Sequence, residues 1–164
     1  MRLASALALL VLIAMTGPVA AQIPARGQDA QQPIEISADS LEVKQNQNLA
    51  VFRGNVDAVQ GAFRLRANEV LVHYRPGQGG TSNISRIDAT GKVRFDTATE
   101  TAQGETGVYD VVEQVIVLTG DVRLTRDKNV LRGDRLTFNL QTGESRIEGP
   151  SRVKGLFQPQ KKGT

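Results

Sequence analysis

Acidic side chains recur at matched places along this sequence, and a pair of carboxylates is the usual equipment for cleaving a glycosidic bond. Asp39, Glu105 and Asp134 each follow a small residue and precede alternating apolar residues. Two such groups held about 5–9.5 Å apart could act as acid and base, or as acid and nucleophile. Asp and Asn beside a bend, however, ordinarily bond to nearby backbone and serve turns, and recurrence in every copy of a pattern points to a structural role. His73 is the only histidine and there is no cysteine. One imidazole without thiolates is a poor start for a transition-metal site. It lies on the wet parity of Val70-Val72-Tyr74 and reads as a surface residue. There is no Gly-x-Ser-x-Gly elbow, Walker sequence or dinucleotide fingerprint. The expectation is therefore no catalytic residue, no metal and no cofactor: the chain is read as something other than an enzyme.

The elements that carry these acids are strands. In Ile116-Val-Leu-Thr-Gly-Asp-Val-Arg-Leu124, apolar residues alternate with polar ones around Gly120, the period of a strand with one dry and one wet face. Similar runs surround Gly54, Gly91 and, more weakly, Gly149, at spacings of 37, 29 and 29 residues. A second marker is a small residue followed by an acid in three copies and an amide in the other, beginning at Ala38, Ala67, Gly104 and Gly133, with spacings of 29, 37 and 29. Two markers with one period define a unit of 29 residues repeated four times, with one eight-residue insertion. Arg75-Pro-Gly-Gln-Gly-Gly-Thr-Ser82 reads as the loop that accommodates it. Turn residues cluster at 44–48, 60–61, 125–129 and 141–144, and no segment after residue 21 sustains a helical period. The chain is all-β, with about two long strands per unit. Apolar parity shifts by one between Leu65 and Val70, and again between Ile36 and Leu41, which predicts a bulge or corner there. A cornered strand lets one ladder line two opposed sheets.

Arg2, an apolar run from Ala6 to Met15, Gly17-Pro18 and small residues up to Ala21 read as a signal peptide. The apolar run is short of the ~20 residues a spanning helix needs. The organisation is thus residues 1–21 signal peptide, 22–32 flexible leader, 33–157 one β domain, and 158–164 a basic tail containing Lys161 and Lys162. Export without cysteines fits a bacterial periplasm. In that context Asn83-Ile84-Ser85 is a chance match to a glycosylation acceptor. The net charge of +3, which falls by one without Arg2, is too mild to argue for nucleic acid.

The inner face is aliphatic. Strand parity places Ile36, Phe52, Val56, Phe63, Leu65, Val93, Phe95, Ile116, Leu118, Val122, Leu124, Leu136 and Phe138 on it. Periodicity alone favours a filled core. Small residues at central positions (Gly54, Gly91, Gly120, Ala67 and Gly133) and the absence of Trp suggest unfilled space, and an apolar groove for lipid chains is the sharper reading. A stack of this kind ends in unpaired strands that invite another chain. Ile34 and Ile36 mark one edge, Ile147 and Val153 the other, with Pro150 suited only to an edge. The competing reading is a β-solenoid that binds or acts on cell-wall polysaccharide. It calls for ladders of exposed aromatics, whereas the seven aromatics here mostly take apolar strand positions.

Pro33-Ile-Glu-Ile-Ser-Ala-Asp-Ser-Leu41, Phe52-Arg-Gly-Asn-Val56, Val117-Leu-Thr-Gly-Asp121 and Leu131-Arg-Gly-Asp-Arg-Leu136 resemble the LptA (OstA-like) family of periplasmic lipopolysaccharide-transport proteins. The resemblance extends over about residues 33–153. It implies a twisted, open antiparallel β-jelly-roll, lipopolysaccharide as cargo, a groove for its acyl chains, and a bridge from the inner to the outer membrane. It also implies LptC at the N-terminal edge, the LptD N-terminal domain at the C-terminal edge, and head-to-tail homo-oligomers.

Overall fold

A computed structural model describes residues 32–76, 82–150 and 152–158. The stretches read as signal peptide and, for the most part, flexible leader, the centre of the insertion and nearly all of the basic tail lie outside the described residues. Ten strands form one antiparallel sheet: β1 (Glu35–Ser37), β2 (Ser40–Lys44), β3 (Leu49–Gln60), β4 (Phe63–Pro76), β5 (Ser82–Asp96), β6 (Glu100–Asp110), β7 (Val115–Arg126), β8 (Asn129–Asn139), β9 (Ser145–Glu148) and β10 (Lys154–Leu156). Consecutive strands pair from β3 to β8. At one end β1 and β2 pair with the two halves of β3; at the other, β10 and β9 pair with the two halves of β8. Each unit thus supplies an up-and-down pair, as the repeat predicts. No α-helix occurs among the described residues, and none is long and apolar enough to cross a membrane.

A crease divides the long strands. Register jumps from Arg53 to Val56 opposite Glu69 and Ala67, from Thr90 to Val93 opposite Thr106 and Gly104, and from Thr119 to Val122 opposite Arg135 and Gly133. Two residues oppose one at each site, which bends the strand and sharpens its twist. Gly120 holds φ +85° and Asp121 φ 41°, and the Gly54-Asn55 and Gly91-Lys92 pairs share this left-handed conformation. The creases lie side by side, so the sheet folds into two walls. Wall A holds β2, the first halves of β3, β5 and β7, the second halves of β4, β6 and β8, and β9. Wall B holds β1, the complementary halves, and β10.

The two sequence markers meet at the crease. A side chain on Gly54 would strike the Asp39 carboxylate, one on Gly91 would strike Asn68, one on Gly120 Glu105, and one on Gly149 Asp134. Asp39 Oδ2 also accepts a bond of 2.8 Å from Asn55 Nδ2, and its N–H donates to Gly54 O at 2.9 Å. The recurrent acids are parts of the corner. The glycines are likewise occupied: they do not hold space open in the interior, as their small size suggested, but receive the marker side chain. Gly133 is filled in the same way by Ile147.

Two details differ from the sequence pattern. The flanks of the insertion extend the β4–β5 hairpin, pairing Arg75 with Asn83 and Pro76 with Ser82 after a second register shift at His73/Tyr74. The fourth copy is split: β9 stops at Glu148, Pro150 lies in the break, and the chain re-enters as β10. Pro150 cannot donate to a ladder from the middle of a strand, unlike Pro76 at the end of β4, and the break falls where the crease would otherwise turn the strand.

Candidate functional site

Inner-facing side chains line up across the strands in rows. In wall A, Leu41, Phe52, Val70, Ala89, Gly107, Leu118, Leu136 and Ile147 stand successively opposite one another. In wall B the corresponding row is Ile36, Ala58, Leu65, Phe95, Ala102, Leu124, Leu131 and Gly155. Neighbouring strands are about 4.8 Å apart, so each row is a continuous apolar track along the stack.

All thirteen residues assigned inward by parity belong to this one apolar cluster. Val56, Val93, Phe95, Ile116, Leu118, Val122, Leu124, Leu136 and Phe138 are buried, while Ile36, Phe52, Phe63 and Leu65 are partly buried toward the N-terminal end. The walls nearly touch at mid-stack. A Cβ on Gly107 would lie 2.9 Å from Leu118 Cδ2 and 3.1 Å from Val93 Cγ1. Phe95 of wall B packs on Phe138 of wall A with ring centroids 6.0 Å apart, and on Phe63 at 5.9 Å. The remaining space near the β3–β4 turn is a slot of about 40 Å³ lined by Ile34, Phe63, Leu65, Phe95, Tyr109 and Leu140 among others. The slot is apolar and opens beside Gln60 and Tyr109.

Three residues at this mouth escaped the sequence reading. The Tyr109 hydroxyl of wall A donates to Gln60 Oε1 of wall B at 3.2 Å, and Gln60 Nε2 donates to the Gln32 carbonyl at 3.0 Å. Burial, with Asp110 adding to it, pushes the Tyr109 phenol up to about 12, so it remains a donor at neutral pH. Leu140, buried just beyond β8, lines the same mouth. Leu140 continues the alternation of Leu136 and Phe138 past the end of β8 and escaped because it sits in the turn, whereas nothing in the pattern marks a buried Gln.

The track is bare at its ends. Leu41 and Val43 on β2 are 56% and 61% exposed, and Phe157 just past β10 is 68% exposed, whereas Leu156, opposite Val130, takes the outer parity. The edges are the short strands themselves: Ile36 lies in β1 and Ile147 in β9, while Ile34 precedes β1 and Val153 precedes β10, outside the ladder.

Outside the trough, several charged side chains pair with one another beside a largely apolar row of Val51, Leu71, Val108 and Val117. Arg53 Nε donates to Glu69 Oε2 at 2.6 Å and its Nη1 to Glu42 Oε2 at 3.0 Å. Arg64 is bonded to Asp57, lowering that carboxyl. Burial works to raise the Asp96 carboxyl, but bonds from Arg94 and Thr101 and the nearby Arg94 and Arg66 charges hold it below the ordinary range. His73 is on this outer face as expected, and its Nε2 lies 2.8 Å from Asp88 Oδ2. Among the described residues no three His, Asp or Glu side chains cluster as metal ligands.

A folded sheet with a continuous apolar lining, bare at both ends, is a trough built to hold apolar chains. A family model described as "LptA/(LptD N-terminal domain) LPS transport protein" matches residues 35–144. The lipopolysaccharide export system protein LptA of Escherichia coli K12 is 30% identical over 135 residues, covering 77% of this chain and 71% of that protein. An uncharacterised protein of Rhizobium meliloti is 37% identical over 139 residues, covering 81% of this chain and 75% of its own. In fold, the chain superimposes on the crystal structure of LptH, described as the LptA-homologous periplasmic component of the lipopolysaccharide transport device of Pseudomonas aeruginosa. The TM-score is 0.69 at 24% identity, over 80% of this chain and 99% of that one. The chain belongs to the LptA/LptD N-terminal domain family of lipopolysaccharide-transport proteins.

Proposed function

We propose that this protein is a periplasmic bridge that carries lipopolysaccharide from the inner to the outer membrane, with acyl chains lying along the trough and the sugars outside it. One observation carries the reading: an inner row of wall A runs without a polar interruption from exposed Leu41 on β2 to Ile147 on β9. Each methylene withdrawn from water is worth ~0.8 kcal/mol, enough to favour occupancy of the trough. The thirteen inner residues form the lipid-binding surface.

The β1/β2 edge receives LptC and the β9/β10 edge the LptD N-terminal domain, each by strand addition. Further copies of the chain stack head to tail between them. Export follows from residues 1–21 acting as a signal peptide. On this reading the chain is a carrier, and the placing of Asp39, Glu105 and Asp134 against the corner glycines supports a structural role for them. The test is co-migration of the purified protein with lipopolysaccharide in gel filtration, beside polysaccharide detached from its lipid. Capture of the lipid-bearing form alone is expected. Retention of the detached sugar, with no preference for lipid, would support the carbohydrate-binding reading instead.

A further inference from the structure

The outer row of wall A begins and ends on opposite charges. Glu42 on β2 pairs with Val51 on β3, and the row continues strand by strand through Leu71, Asp88, Val108 and Val117 to Thr137 and then Arg146 on β9. Glu42 is half exposed at 51%, and Arg146 is 78% exposed, with its nearest carboxylate, Glu148, 4.0 Å away. Strand sense alternates through the ladder, so β2 and β9 run in opposite directions. A second copy displaced along the stack therefore offers its β2 antiparallel to β9 without turning over.

We infer that a second copy of this chain docks on β9 in one register, set by Arg146 facing Glu42 of the incoming copy. This rests on the head-to-tail stacking proposed above and adds what fixes its alignment. In that register Ile147 meets Leu41, Ser145 meets Val43, and Glu144 comes beside Lys44. The apolar track continues and the facing charges are opposite. A slip of one residue turns the inner face outward. A slip of two keeps the faces but ruins the charges: one direction sets Arg146 against Lys44 and Glu148 against Glu42, and the other sets Glu144 against Glu42. Like charges directly across strands are unfavourable, so the alternatives are selected against by repulsion as well as by lost attraction. Arg53 and Lys44 within its own copy (3.0 and 3.7 Å) lower the Glu42 carboxyl and keep it ionised, so Arg146 of the next copy would join an existing ion-pair cluster.

Two measurements on the full mature chain test this. Sedimentation at low salt should show self-association weakened at least about tenfold by Arg146→Glu and by Glu42→Arg separately. The double variant should return to within about threefold of the native chain, because the swapped pair is again opposite. Both sites are exposed, and circular dichroism checks that each variant keeps its β spectrum. Because the sequence has no cysteine, a second test is clean: Arg146→Cys mixed with Glu42→Cys should form an intermolecular disulfide under mild oxidation. Arg146→Cys mixed with Lys44→Cys or Ser40→Cys should not. Additive losses without rescue, or cross-linking that prefers position 44 or 40, would overturn the register while leaving stacking intact. Failure of the native chain to self-associate at any concentration would overturn stacking, and the register with it.

Discussion

Leu118 in the middle of the stack and Leu41 at its N-terminal end occupy the same inner row, four strand neighbours lying between them, yet Leu118 is fully buried and Leu41 is 56% exposed. The difference is one of company. Leu118 has Gly107 and Leu136 on its flanks and wall B above it; among the described residues Leu41 has Phe52 on one flank and no strand on the other. An inner position becomes core only when a strand stands on each side. The ends of the trough are therefore core positions awaiting a neighbour, and full burial of a Leu or Val is worth ~1.5–3 kcal/mol. Strand addition of the kind proposed above would supply that neighbour at either edge.

The comparison breaks most visibly under a buried charge. Leu118→Asp should cost more than about 4 kcal/mol, enough to abolish the cooperative unfolding transition in urea. Leu41→Asp should stay within about 0.5 kcal/mol of the native chain in the same titration, since its site is already wet. Similar costs for the two would show that the middle is no better sealed than the end. A smaller effect sharpens the same contrast in the backbone. Gly120 has φ +85° and would put a Cβ 2.6 Å from Glu105 Oε2, so Gly120→Ala should cost about 1–3 kcal/mol. Gly155→Ala at the open end meets mainly the rim of the exposed Phe157 ring, which can swing aside, and should cost under about 0.5 kcal/mol. Chemical denaturation of both variants checks the ratio.

Much of this architecture was legible because a strand's period of two reports which side each residue takes. Repeat length, strand pairs, the parity shift between Leu65 and Val70 and all thirteen inner residues followed from that rule. The rule is silent about what stands across the trough. Whether Phe95 faces empty space or the Phe138 ring depends on the angle of the crease, which is set by Gly-X pairs in the left-handed conformation and is invisible to alternation. For the same reason the central glycines looked like space left open, when each receives an Asp, Asn or Glu side chain from the neighbouring strand. The Tyr109–Gln60 bond joins residues 49 apart in sequence across two walls, and no local pattern encodes it. Edge positions were blurred differently: Ile34 and Val153 carry the right alternation but fall just outside β1 and β10, where pairing has ended.

The central claim is that cargo lies against the inner rows and nowhere else. Phe63, Arg64, Leu65 and Arg66 alternate inward and outward along one short stretch of β4, and their inner members are only partly buried, so substitution there is tolerable. A photo-activatable side chain placed at each of the four in turn, irradiated with lipopolysaccharide present, reads the alternation directly. Strong labelling of lipid at 63 and 65 with little at 64 and 66 is the result this account predicts. Equal labelling at all four, or labelling confined to 64 and 66, would contradict it.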